Sequence, residues 1–281
     1  MKKNLPNFFK KFTNIDSIKL DEFDLYINSP FVIFEKTNFL NEKLYNELRE
    51  TFPKKELLTK IEGIGNKISL NNQSSTFNKF ISENKSWGLF YNYLNSNEMI
   101  LFFCDLIKSE LDKIEQRKNL KPFFFVKDSN NKSLYAKIKK KVSSKFYTNL
   151  RLGFQFSILK NNSYIPPHTD TTNKLLSLMM YFPEENYPNI KTDEINNLGT
   201  NFYEKKKKDN YDYFDGWDSK LLSKTDTKIF HEKFKIFYRS KFQKNKLIGF
   251  IKNDKTWHEV TTFHFNQNFE RRSININLYL D

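Results

Sequence analysis

Two histidines, an aspartate and an arginine in the C-terminal half have the types and spacing for metal-centred chemistry. In "YIPPHTD" (164–170), His168 and Asp170 stand two residues apart. In a strand that spacing sends both side chains to one face, so an imidazole and a carboxylate are presented together. The same pair also suits ordinary polar residues in a turn. The chain has four histidines, His168, His231, His258 and His264, so any further ligand comes from a short list. His258 in "TWHEV" is the candidate. Two imidazoles and one carboxylate leave adjacent positions open on Fe(II), as oxygen chemistry requires. Thirteen residues after His258 comes Arg271 in "ERRSININLYL", with Ser273 on the same strand face. A guanidinium fork beside a hydroxyl suits bidentate grip of a carboxylate. The arginine pair is conspicuous because only six of the 47 basic residues are arginine.

The elements that must position these residues follow from periodicity. From residue 147 onward the pattern is one of strands and turns. "TNLRLGFQFSILK" alternates Leu152, Phe154, Phe156 and Ile158 on one face, and "YIPPHTD", "KLLSLMMYF", "GTNFYEK", "TKIFHEKFKIFY", "NKLIGFI", "TWHEVTTFHF" and "RRSININLYL" follow. Eight short strands predict a sandwich or jelly roll and not alternating β and α units. Upstream, "FVIFE" reads as a strand. "NEKLYNELRETF" reads as a helix capped by Asn41 and stopped by Pro53. A second helical region spans about 84–117, with Asn95 and Glu98 resembling a capping box. Residues 186–198 and 205–226 read as polar loops, and 118–146 as a lysine-rich inserted connection. The expected class is α+β, mainly β. Its parts are a lead over 1–27, supporting strand and helices over 28–146, and a β core over 147–281, together one integrated domain.

Composition excludes several functions. Seven glycines leave no phosphate loop in strand–helix context. Cys104 is the single cysteine, which forbids an internal disulfide, and it reads as a small buried residue. No apolar run is long enough to span a bilayer and no signal-peptide h-region is present, so a cytoplasmic protein is expected. "MKKNLPNFFKKF" reads as a docking arm or loose tail through Phe8, Phe9 and Phe12, or as a membrane contact. The formal charge of +14 raises nucleic-acid binding as an alternative. Against it, lysine and asparagine richness follows from A/T-rich codons, and the runs 137–141 and 205–208 read as solvated. His231 and His264 read as surface or structural residues, and Trp257, pointing away from His258, as a packing residue.

Taken together, "SPFVIFEKTNFLNEKLYNELRETFP", "YIPPHTDTTNKLLSLMMYF", "KLIGFIKNDKTWHEV" and "ERRSININLYL" resemble, in order and spacing, the 2-oxoglutarate/Fe(II)-dependent oxygenases of the prolyl-hydroxylase-like branch. "LGTNFYEK" departs from the usual glycine pair, with Leu198 at the first position. The resemblance implies a double-stranded β-helix core carrying N-terminal helices, with His168, Asp170 and His258 as iron ligands. It also implies 2-oxoglutarate held by Arg271 with Ser273 and Tyr181, Arg272 and Lys174 being reserve candidates for that grip. Fe(II), 2-oxoglutarate and O2 are the implied cofactors, with ascorbate as a supporting reductant. The implied reaction couples decarboxylation to succinate and CO2 with hydroxylation of a small or carrier-linked substrate. The lysines of 61–80, 118–146 and 186–226 suit an anionic sugar, nucleotide-linked or other metabolite, a peptidyl or free proline being the alternative. A non-oxidative cupin-like metal barrel is the competitor from another class, and it has no need of Arg271.

Overall fold

The computed structural model describes residues 6–13, 19–62, 64–65, 67–125, 141–184, 198–206, 214, 216–264 and 269–281. Helix and strand contribute comparably, so "mainly β" holds for the C-terminal half and not for the chain. The reason is the N-terminal half, which is largely helical: α1 (Asn7–Phe12), α2 (Glu42–Glu50), α3 (Ser75–Glu83), α4 (Lys85–Leu94) and α5 (Asn97–Leu111). Each of α2 to α5 begins where a side-chain oxygen accepts an orphan backbone N–H. Asn41 takes that of Leu44, Ser74 that of Phe77, Asn84 that of Trp87, and Ser96 that of Met99. The expected cap at Asn95 is thus displaced by one residue. Asn95 instead terminates α4, and the neighbouring hydroxyl of Ser96 caps α5.

The strands are β1 (Leu25–Ile27), β2 (Ile33–Lys36), β3 (Thr59–Lys60), β4 (Lys67–Asn71), β5 (Phe123–Phe125), β6 (Thr148–Lys160), β7 (Ile165–Thr169) and β8 (Lys174–Tyr181). They continue with β9 (Thr200–Lys205), β10 (Lys220–Leu221), β11 (Phe234–Ser240), β12 (Leu247–Ile251), β13 (His258–Val260) and β14 (Glu270–Leu280). A nine-stranded sheet runs β1-β2-β12-β8-β14-β6-β4-β3, with β5 added parallel to β6, and a five-stranded sheet runs β10-β7-β13-β9-β11. All other pairings are antiparallel. β1 belongs to the large sheet, so the lead does not extend to residue 27 as a separate arm. "TKIFHEKFKIFY" is not one strand. Ser223 caps a helix, α6 (Lys224–Lys233), and β11 starts at Phe234. The expected loop 205–226 accordingly holds β10 and the start of α6. Residues 126–140, 185–197 and 207–213, which include most of the expected loops, lie outside the described residues.

The large sheet separates two kinds of packing. Its outer face presents Leu152, Phe154, Phe156, Ile158, Ile274, Ile276 and Leu278 to the helices. Trp87 of α4 meets Phe156 edge-on at 4.7 Å between ring centroids, and its indole N–H donates to the Thr51 carbonyl at 3.1 Å. Such large rings with satisfied polar tips supply much of the apolar burial here. Phe8, Phe9 and Phe12 of α1 dock into the same cluster against Phe39, Phe90, Tyr93 and Phe102, as the docking-arm expectation has it. Cys104 is buried there too. The inner face of the large sheet meets the small sheet through Ile33, Leu159, Ile248, Phe250, Phe202 and Val260. The outer face of the small sheet is closed by α6, where Trp257 packs on Phe230 and Phe234. Among the described residues no helix is long and apolar enough to cross a membrane.

Candidate metal centre and its cavity

A cavity of about 540 Å³ opens between the two sheets. On the small sheet, β7 and β13 run antiparallel with His168 opposite His258. Their rings lie 4.1 Å apart between centroids. Asp170 follows β7 on the same side, so donor atoms of His168, Asp170 and His258 all lie within 4.8 Å of one another.

Each imidazole is oriented by its own strand. His168 Nδ1 sits 2.9 Å from the Pro166 carbonyl and His258 Nδ1 sits 3.0 Å from the Thr256 carbonyl. A carbonyl only accepts, so both Nδ1 atoms carry the proton and both Nε2 lone pairs are free to bind a cation. Burial, with the His258 ring beside it, pulls His168 down to about 3, and burial also lowers His258. Both rings are therefore neutral at ordinary pH, the state that ligates metal. Burial opposes ionisation of Asp170, but the Lys174 ammonium outweighs it and holds the carboxyl well below its usual range. Lys174 Nζ is 2.7 Å from one Asp170 oxygen, and Ser177 Oγ donates to the other at 3.1 Å. A neutral-imidazole pair with an ionised carboxylate fits a divalent cation with open positions towards the cavity.

Register places the opposite wall. Across β4, β6 and β14, Lys67, Leu159 and Arg271 align, followed by Ser69, Ser157 and Ser273 with Tyr181 of β8. Directly opposed residues share a face, and Arg271, Ser273, Ser157 and Lys67 line the cavity. Arg271 is 2 % exposed. Its guanidinium lies 5.1 Å from the Tyr181 ring and 5.6 Å from the Phe242 ring, and its Nε donates to the Leu198 carbonyl. Only the backbone of Leu198 is used, so the departure from glycine there leaves this contact intact. Gly199 is the demanding position, since a Cβ on it would stand 1.5 Å from the Ser240 carbonyl oxygen. The Tyr181 hydroxyl is 3.2 Å from Thr200 Oγ1, which ties the two sheets beside Arg271.

Similar solved structures are distant. A prolyl-4-hydroxylase from Pseudomonas putida is 10% identical at a TM-score of 0.41, over 90% of this chain and 95% of its own. A prolyl hydroxylase from Trichoplax adhaerens, in complex with a hypoxia inducible factor oxygen degradation domain peptide fragment, is 8% identical at 0.42, over 88% and 83%. HygX from Streptomyces hygroscopicus, with nickel, 2-oxoglutarate and hygromycin B bound, is also 8% identical at 0.42, over 88% and 82%. No protein-family model matches the sequence, and no curated protein matches it. The chemistry of this site therefore rests on its own residues.

The reserve candidates are otherwise engaged. Arg272 points to the opposite face and pairs with Glu270 and Glu184, while Lys174 is engaged by Asp170. His264 meets Asn162, and His231 of α6 meets Glu259, which also accepts from the Tyr203 hydroxyl. Sequence reasoning missed Lys67, Ser177 and a row of amides, Gln155, Asn275 and Asn277, all lining the cavity. Their signal was present in "RLGFQFSILK" and "ININLYL", where polar residues alternate with the apolar ones.

Proposed function

We propose that this protein is a 2-oxoglutarate- and Fe(II)-dependent oxygenase, with 147–281 forming a double-stranded β-helix core and the helices of 28–146 supporting it. The observation that carries this is the pairing of a two-histidine, one-carboxylate cluster with Arg271 on the facing wall of one cavity. A non-oxidative metal barrel gives no reason for a buried guanidinium there. Bound iron and 2-oxoglutarate, with O2, supply the oxidising chemistry, yielding succinate, CO2 and a hydroxylated substrate. His168, Asp170 and His258 would hold the metal. Lys174 and Ser177 keep the carboxylate ionised and fixed in direction. Arg271, its guanidinium held beside the Tyr181 and Phe242 rings, would grip the distal carboxylate of 2-oxoglutarate, with the Ser273 hydroxyl as a second donor. The apolar contacts of Phe202, Phe250 and Val260 keep water from the metal side. Of the two substrate classes, the wall of amides and cations suits a polar, anionic metabolite better than a prolyl ring.

Anaerobic addition of Fe(II) and 2-oxoglutarate tests the proposal. The expected result is a weak visible charge-transfer band, lost in His168→Ala. Absence of the band in the wild-type protein, with no succinate formed in air, would sink it.

A further inference from the structure

The cavity wall holds a positive charge to which the proposed site gives no role. Lys67 lies on β4, in register with Leu159 and Arg271, and its side chain lines the cavity half-buried. Among the described residues it makes no hydrogen bond and no ion pair. Of the other cations at the wall, Arg271 is the one assigned to 2-oxoglutarate, and Lys174 and Arg151 face carboxylates. Lys174 is paired with Asp170 at 2.7 Å, and Arg151 lies 3.8 Å from an Asp281 oxygen and over the Tyr279 ring. Burial, reinforced by the charges of Arg271 and Lys174, pulls the Lys67 ammonium down to about 8. Asp170, the carboxylate that acts on Lys67, is already paired with Lys174. A partly desolvated cation with no carboxylate of its own opposes the folded state, and a bound anion removes that penalty.

Further along the same wall lie amides, of which Gln155 donates to Ser69 Oγ and Asn71 accepts from the Gln73 N–H, while Asn275 and Asn277 are uncommitted. Asn71, Gln155 and Asn275 form one register row, and Asn277 the next. Asn275 and Asn277 are half-buried, line the cavity and make no side-chain hydrogen bond among the described residues. Amides that the fold leaves unused on a strand face supply both donors and acceptors to a ligand. The distal carboxylate of 2-oxoglutarate is answered by Arg271 and its other end by the metal, so Lys67 and these amides address a second molecule.

We propose that the molecule oxidised in this cavity carries a carboxylate or phosphate group bound by Lys67, with its other polar atoms bonded by Asn275 and Asn277, a proposal that rests on the oxygenase reading. Lys67 is thereby the specificity-determining residue for an anionic, hydrogen-bond-rich substrate.

The test uses the full chain loaded with Mn(II) and saturated with 2-oxoglutarate under argon, titrated with inorganic phosphate and, separately, with ¹³C-acetate. An anion bound near the paramagnetic metal broadens its ³¹P or ¹³C resonance. We expect saturable broadening of at least one anion by the wild-type protein. In Lys67→Met the apparent affinity should fall at least about tenfold, Lys67→Arg should restore it, and 2-oxoglutarate affinity should change less than about threefold in both. The tenfold figure corresponds to loss of one charge-assisted contact. No saturable broadening of either anion, equal broadening in Lys67→Met, or loss of 2-oxoglutarate in place of anion binding would each overturn the proposal. Failure of the wild-type protein to bind 2-oxoglutarate sinks the oxygenase reading instead. Calorimetric titration of the metal-free protein with the same two anions then decides on Lys67 alone, a loss in Lys67→Met supporting its role and unchanged binding overturning it.

Discussion

Along β6, Leu152, Phe154, Phe156 and Ile158 turn to the helices, while Arg151, Gln155, Ser157 and Leu159 turn to the inner side. β14 repeats the division, with Ile274, Ile276 and Leu278 outward and Arg271, Ser273, Asn275 and Asn277 inward. In a simple two-sheet sandwich the apolar faces would be expected to meet each other. Here the larger sheet sends most of its apolar side to the helices, which frees the inner side for polar residues. Stability and chemistry are thus assigned to alternate residues of the same strands.

The largest expected effect breaks that comparison from the outer side. Phe156→Ala removes a ring packed on Trp87, Phe52 and Phe77 and should cost about 3–5 kcal/mol in urea unfolding. The 2-oxoglutarate affinity of the folded fraction should stay near that of the wild type, and a parallel fall would mean that the two faces are not independent. From the inner side, Arg271→Met should weaken 2-oxoglutarate binding by about thirtyfold or more, the loss of a buried charge-assisted contact. Its unfolding free energy should change by less than about 1 kcal/mol, because Met fills the slot between Tyr181 and Phe242. Ser177→Ala deprives one Asp170 oxygen of its donor and should lower metal affinity roughly tenfold, read by competition with a chromophoric chelator.

The smallest effect sharpens the contrast. Lys67 has its folded pKa lowered to about 8, below the ordinary lysine value. Its charge therefore opposes folding at neutral pH, and the penalty fades as pH rises from about 8 through the unfolded lysine value near 10.4. Lys67→Met should raise Tm at pH 7 by about 2–4 °C, or about 1 kcal/mol, with the gain vanishing near pH 10.5. A gain that persists at high pH would assign the effect to packing alone.

Much of this arrangement was legible in the sequence. Four histidines and six arginines in the chain made His168, His258 and Arg271 stand out, and strand parity put Ser273 beside Arg271. Seven of the eight expected C-terminal strands are present. The eighth, expected over 227–238, is a strand only from Phe234 and failed over 227–233, where Ser223 and Asp226 offer a cap to a helix and the lysine–phenylalanine run has no decisive period. Asn95 and Ser96 are both good caps, and only the course of α4 chooses between them. Lys67 was hidden by abundance, since one lysine among so many carries no signal until register sets it beside Arg271. The amide row was hidden differently: alternation marks two faces of a strand but not which of them faces the interior.

The carbonyl groups of Pro166 and Thr256, each two residues before its histidine, have a consequence for how the site tolerates change. The hydrogen bond that aims each imidazole runs to a main-chain atom of its own strand and to no side chain. A randomised library across the cavity wall should consequently alter what the protein accepts far more readily than it disturbs the two nitrogens. The centre behaves as a fixed socket in a refittable room.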